Sequence, residues 1–164
     1  NDLANNYGNL CQRVFSFIKK NCSNKIPKPT KLSGDDDRLL GQLKSDVPNL
    51  IVLVNNQNLN EFIKKVVSYS FDANKYFNDS EPWSLKKTNK ERMENILFTI
   101  CEQIKNISIL LHSIIPISTG KVLEAMNIDK DKIKIEDISR SNCFNHSAEL
   151  RNLDILFKKI ENDN

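Results

Sequence analysis

DLANNYGNLCQRVFSFIKKN, residues 2–21, decides how the chain is read. Leu3, Tyr7, Leu10, Val14 and Phe17 recur at spacings of four and three. That pattern is one apolar stripe on a helix, of the kind that lines the seam of a helical bundle. Asn9 and Arg13 stand four apart and so share a face beside the stripe. Lys19 and Lys20 fall in the last turn, where cations suit the negative end of the helix dipole. Gly8 costs about 1 kcal/mol relative to alanine inside a helix, so it is expected to admit another backbone closely. By itself, an Asn/Arg pair on a helix flank is an ordinary solvated face.

Downstream, Cys22 to Gly34 is a connector in which Pro27 and Pro29 forbid helix. Ser33, Gly34 and the acids Asp35, Asp36 and Asp37 announce a second helix, since acids suit a helix N-terminus. Its stripe is Leu40, Leu43, Val47, Leu50 and Val54. Pro48 interrupts it at a cost of about 3 kcal/mol, so a kink or two short helices in line are expected. After a turn at 55–58, Asn58 and Glu61 form a capping box for a third helix. Leu59, Ile63, Val66, Ala73 and Phe77 are its stripe, with Ser70 as a polar lapse, and it should fade near Asn78 and Asp79.

Pro82 ends that pattern and Trp83, the only tryptophan, follows at once. Two readings fit Trp83: a plug in the core at a helix junction, or an aromatic platform on which a base stacks. Thr88 and Glu91 form a second capping box. Met93, Leu97, Ile100, Ile104, Ile107, Leu111 and Ile114 then alternate four and three until Ile115 and Pro116 close the helix. Spanning 88–115, it would be roughly 40 Å long at 1.5 Å per residue, the longest helix and the central strut. His112 beside this stripe reads as a boundary residue without a chemical role. Ser118 caps a shorter helix with Val122, Leu123 and Met126 facing inward. Beyond Asn127, Ile133, Ile135 and Ile138 suggest a short extended piece, and 139–147 a loop. Leu150, Leu153 and Leu156 suit a last short helix. The fold class expected is all-α: an antiparallel helical bundle of about five helices, one domain over 1–164.

Composition agrees. With 164 residues, 39% of them hydrophobic, the chain can bury a core. Four glycines and five prolines leave few turn signals, which favours long helices. The net charge is only +3, but residues 1–34 carry Arg13, Lys19, Lys20, Lys25, Lys28 and Lys31 against Asp2 alone. That local balance of +5 leaves −2 for the remainder. A basic front end suits a phosphate-bearing partner, and equally a plain solvated surface. Heavy use of Asn, Lys and Ile reads as an AT-rich genome, so an isolated Asn or Lys says little. Cys11, Cys22, Cys101 and Cys143 form no Cys-x-x-Cys pair. Cys143 and His146 are half a zinc site at best, so no metal site is expected. Cys11 and Cys101 read as reduced core thiols, which fits a cytoplasmic protein. No apolar run of membrane-spanning length occurs, nor a phosphate loop or catalytic Ser/His/Asp or Cys/His arrangement. The chain opens at Asn1 in mid-pattern, as a piece of a longer protein would.

The opening helix, with Leu-Ala-Asn-Asn, Gly-Asn-Leu and the following Arg13, resembles the first helix of the anticodon-binding domain of bacterial methionyl-tRNA synthetases. The Pro82-Trp83 pair after the third helix is similar to that family's Pro-Trp, and PISTGKVLEAMNI at 116–128 resembles its later Pro-led helix. ILFKKIE at 155–161 is similar to the family's extended closing segment, except that Lys158 stands where the family has proline. The resemblance implies that Asn9, Arg13 and Trp83 contact bases of a CAU anticodon, Trp83 by stacking. Lys19, Lys20, Lys86 and Lys87 are candidates for phosphate contacts. It also implies a partner tRNA, through its anticodon stem-loop, and an upstream catalytic nucleotide-binding domain. That domain would use ATP and magnesium to activate methionine, while this region binds without catalytic residues or a cofactor of its own. The rival readings are the equivalent domain of another subclass Ia synthetase, and a helical protein-interaction module without RNA affinity.

Overall fold

A computed structural model describes residues 2–140 and 143–153, with side chains from residue 5 onward. Five α-helices are present: α1 (Asp2–Asn21), α2 (Gly34–Asn55), α3 (Leu59–Ser80), α4 (Lys90–Leu111) and α5 (Pro116–Ala125). Short 3-10 turns occur at Pro82–Ser84 and Ile135–Ser139, and the described residues hold no strand beyond an isolated antiparallel bridge between Lys25 and Glu149. The expected all-α bundle is therefore the architecture observed.

Most of the stripe residues pack inward as periodicity requires, but Val54 and Leu59, where α2 turns into α3, are exposed (40% and 47%), and Phe62 and Tyr69 fill the α3 side of the core instead. Tyr7, Leu10 and Val14 of α1 are buried, joined by Cys11 and Ile18, while Phe17 stands at the edge of the core. Gly8 is buried beside them; the side chain of Leu3 lies outside the described residues. The Tyr7 hydroxyl is hydrogen-bonded to the Ser108 hydroxyl of α4. Along α3 the inward residues are Phe62, Val66, Tyr69, Ser70, Ala73 and Phe77. Tyr69 reaches Asp46 and Tyr76 reaches Asp36, so α2 and α3 run antiparallel. One end of the bundle thus gathers the C-termini of α1 and α3, the N-termini of α2 and α4, and the Pro82–Ser84 turn.

α4 is the strut, touching every other helix. Every residue from Asn95 to Leu111 is buried, including polar ones. The connector crosses its start: Asn95 accepts from the Thr30 amide at 2.9 Å and donates to the Lys31 carbonyl at 3.1 Å. The C-terminal segment crosses its middle, where Lys105 pairs with Glu102 at 2.5 Å and donates to the Asp137 and Arg140 carbonyls at 2.8 and 2.6 Å. Cys11 and Cys101 lie fully buried where α1 meets α4, and burial pushes both thiols up.

Several boundaries differ from the sequence reading. α2 runs unbroken through Pro48, whose exposed ring loses one backbone bond without dividing the helix. Ser33 makes its capping box with Asp36, but Asn58 makes no side-chain cap, and Glu61 pairs with Lys64 at 3.3 Å rather than reaching back to the Asn58 amide. The α4 cap is Asn89 rather than Thr88; its side chain accepts from the Arg92 amide at 3.1 Å, while Glu91 accepts from Thr30. α4 stops at Leu111, where the Ile114 and Ile115 amides turn back onto the Leu111 carbonyl. It has 22 residues, equal to α2 and α3, so it is central but not longest. α5 starts at Pro116, not Ser118, since a proline ring presets the first helical residue. Residues 135–139 form a 3-10 turn where an extended piece was expected. Leu150 and Leu153 are buried in irregular chain rather than a helix, the Leu150 amide bonding the Asn24 carbonyl at 2.7 Å. Leu156 and the 155–161 segment lie outside the described residues.

Candidate nucleic-acid interface

Helical spacing puts Asn9, Arg13 and Lys20 on one exposed face of α1, with Lys20 two turns beyond Arg13. The guanidinium of Arg13 lies over the Phe77 ring, 5.1 Å from its centre. Its Nη2 donates to Asn78 Oδ1 at 2.6 Å, and Nη1 makes a longer contact of 3.5 Å to Asn74 Oδ1. Asn74 in turn donates to Asn6 of α1 and to the Ser70 carbonyl at 3.0 Å. Arg13 is thus held by neutral amides and a ring face. Among the described residues no carboxylate pairs with it, so its charge is unspent and further N–H donors remain available.

Trp83 is 44% exposed. Pro82, not Trp83, fills the core at this junction. Glu81 enters the turn with a left-handed backbone (φ 45°) that reverses the chain after α3 and turns the indole outward. The indole meets Phe77 edge to face, ring centres 5.7 Å apart. Phe77 therefore bridges Arg13 on one helix and Trp83 after another, which brings two of the expected site residues into one cluster. Asn9 and Arg13 both line the groove between α1 and α3, with Gln12, Phe71 and Asn74. Lys86 and Lys87 are exposed in the loop just after Trp83. Lys19 departs from the group: it lines a separate cleft with Gln12, Ser16 and Asn24, turned from the Arg13 face.

Beneath the cluster lies a network that the sequence reading did not find. Asp36, 0% exposed, accepts from Arg92 Nη1 and Nη2 at 2.6 and 2.9 Å, from the Tyr76 hydroxyl at 2.5 Å and from the Ser33 amide at 2.8 Å. Burial raises the Asp36 pKa, but these donors more than reverse that, and the carboxyl is held below its ordinary value. The network ties α2, α3 and α4 together at the end bearing Trp83. Phe77, Asn74 and Asn78 were also missed as partners of Arg13. The signal for Asn74 and Asn78 is a polar stripe on α3, weak in a chain so rich in asparagine, whereas Phe77 reads as one more residue of the apolar stripe.

Cys143 Sγ lies 3.8 Å from the Arg140 carbonyl, whereas His146 Nδ1 bonds the Ile26 carbonyl at 2.9 Å. His112 bonds Thr119 at 2.8 Å, tying α4 to α5. Among the described residues no helix is long and apolar enough to cross a membrane.

The family described as the anticodon binding domain of methionyl tRNA ligase matches residues 26–164. The methionine–tRNA ligase of Brucella suis is 34% identical over 140 residues, covering 85% of this chain and 27% of that protein. The methionine–tRNA ligase of Rickettsia felis is 28% identical over 167 residues, covering 99% of this chain and 32% of its own length. The chain thus spans between a quarter and a third of these curated relatives. The apo crystal structure of Mycobacterium tuberculosis methionyl-tRNA synthetase superposes with a TM-score of 0.84 at 25% identity, over 92% of this chain and 31% of that one. The same enzyme bound by methionyl-adenylate gives 0.80 at 26% identity, over 85% of this chain and 28% of that one.

Proposed function

This chain belongs to the family of methionyl-tRNA ligase anticodon-binding domains, and on that premise we propose that it recognises the CAU anticodon stem-loop of a tRNA. One observation carries the reading: Phe77 joins the unspent guanidinium of Arg13 to the half-exposed ring of Trp83. In the mechanism proposed, the anticodon loop splays its bases onto the α1–α3 face. Trp83 offers its open ring face to one base, a contact that tolerates any base identity. Arg13 supplies directed N–H donors and Asn9 an amide, which together choose among base edges. The Asn74 and Asn78 oxygens fix the direction of the guanidinium before the RNA arrives, so less ordering entropy is lost on binding. Lys20, Lys86 and Lys87 meet phosphates, which position the loop without reading its sequence. Lys19, on the neighbouring face, meets a phosphate farther along the strand.

The wider activity follows the same premise. The longer protein attaches methionine to tRNA, using ATP and magnesium in a catalytic domain outside this chain, with which the bundle shares a polypeptide. This chain contributes binding alone. A CAU stem-loop titrated into the protein should change the fluorescence of Trp83, the single tryptophan. A helical interaction module without RNA affinity would leave the emission unchanged at every RNA concentration.

A further inference from the structure

The groove between α1 and α3 continues past Arg13. Asn6, Asn9 and Gln12 form its α1 side, and Phe71 and Asn74 its α3 side. Phe71 is 56% exposed, although the inward stripe of α3 runs through Val66, Tyr69, Ala73 and Phe77. A lone exposed aromatic is ordinary. This one instead faces a groove of about 590 Å³ whose other sides are amides. Amides both donate and accept, as a base edge requires. Apart from Arg13, none of the described residues lining the groove is charged, so it suits a neutral heterocycle rather than a phosphate.

Placement points the same way. Phe71, Asn74 and Asn78 follow at spacings of three and four, one stripe of α3, and Asn78 is the residue that holds Arg13. At 1.5 Å per residue the ring stands roughly 10 Å along the helix from Asn78. A single strand covers that with about three stacked nucleotides at roughly 3.4 Å each, fewer when splayed.

We infer that this groove is a second base-binding subsite, in which Phe71 stacks a further nucleotide of the loop that meets Trp83 while Asn6 and Gln12 bond its edge. The inference rests on the anticodon-loop reading above. A fluorescein-labelled CAU stem-loop, followed by anisotropy, tests it with the wild type, Phe71→Ala, Phe71→Tyr and Trp83→Ala. Phe71→Ala should weaken binding by about five- to a hundredfold, with an unchanged urea midpoint and an unchanged salt slope. Phe71→Tyr, which keeps the ring, should bind close to wild type. In loops made abasic at one nucleotide at a time, one position should cost the wild type affinity but cost Phe71→Ala nothing more. If Phe71→Ala binds as wild type while Trp83→Ala is weakened, the subsite is refuted and the anticodon reading stands. Equal abasic losses in wild type and Phe71→Ala at every position refute it too. If the wild type itself does not bind, both fall together.

Discussion

Asp36→Ala removes the acceptor on which three helices converge, and its cost follows from the groups left behind. Arg92 loses two hydrogen bonds of 2.6 and 2.9 Å, and the Tyr76 hydroxyl and Ser33 amide lose one each. Breaking a buried ion pair from one side costs about 3–5 kcal/mol. The Arg92 side chain is 27% exposed, so water can recover part of its loss, and the low end, about 3 kcal/mol, applies. With a urea slope near 2 kcal/mol per molar, the midpoint should fall by about 1.5 M. Asp36→Asn keeps the volume, yet its amide must face an Arg92 donor whichever way it turns, so a loss of about 2 kcal/mol is expected. The pH dependence has a definite sign. A carboxyl held below its ordinary value in the folded state stabilises fully above the unfolded-state pKa, about 3.9. That stability is lost as pH falls through the lower folded value. The gap between wild type and Asp36→Asn in urea titrations should therefore be complete at pH 7 and at pH 5, and narrow below about pH 4. An Asp36→Ala midpoint within about 0.3 M of wild type, or a gap unchanged at pH 3, would refute the reasoning.

Trp83→Ala should lose about 1–3 kcal/mol of stem-loop binding, while its unfolding midpoint falls by less than a core aromatic's about 3–5 kcal/mol would require; Trp83→Phe should keep part of the affinity. Arg13→Ala should weaken a CAU stem-loop by about 1–3 kcal/mol more than one with a changed anticodon. Equal losses would restrict Arg13 to phosphate or to its own helix partners. Replacing Lys20, Lys86 and Lys87 together should reduce the salt dependence of binding by about 0.7 log units for each phosphate left unneutralised, without altering the preference among anticodons. An unchanged slope would remove these lysines from the interface.

The helices were legible because each buries one face, and one buried face writes a repeat of three and four into the chain. α1 and α3 could be read to within a residue or so for that reason. α4 differed because all its sides are covered. Asn95, Glu102, Gln103, Lys105 and Asn106 look like a solvated face, yet they are buried. The connector covers Asn95 and the C-terminal segment covers Lys105, and neither cover has a period to announce it. Caps were less legible than stripes, since Asn89 and Thr88 are both acceptable N-caps by residue type; Asn89 takes the role, and Glu91 accepts from Thr30 of the connector instead of completing a box with Thr88. The proposal of Asn9, Arg13 and Trp83 as site residues rests on family resemblance, not on spacing, which leaves an Asn/Arg pair ordinary. Phe77 looked like one more stripe residue. Its second role, holding Arg13 on one side and Trp83 on the other, appears only when α1 and the 82–84 turn meet in space.

The central claim is that this face reads the anticodon rather than merely attracting RNA. The most direct measurement compares the dissociation constants of two stem-loops at one fixed salt concentration, identical except that CAU is replaced in one. The account predicts at least a tenfold preference for CAU, since each directed base contact is worth about 1–3 kcal/mol. Equal affinity for the two, falling together as salt is raised, would mean that the basic surface alone binds and would contradict it.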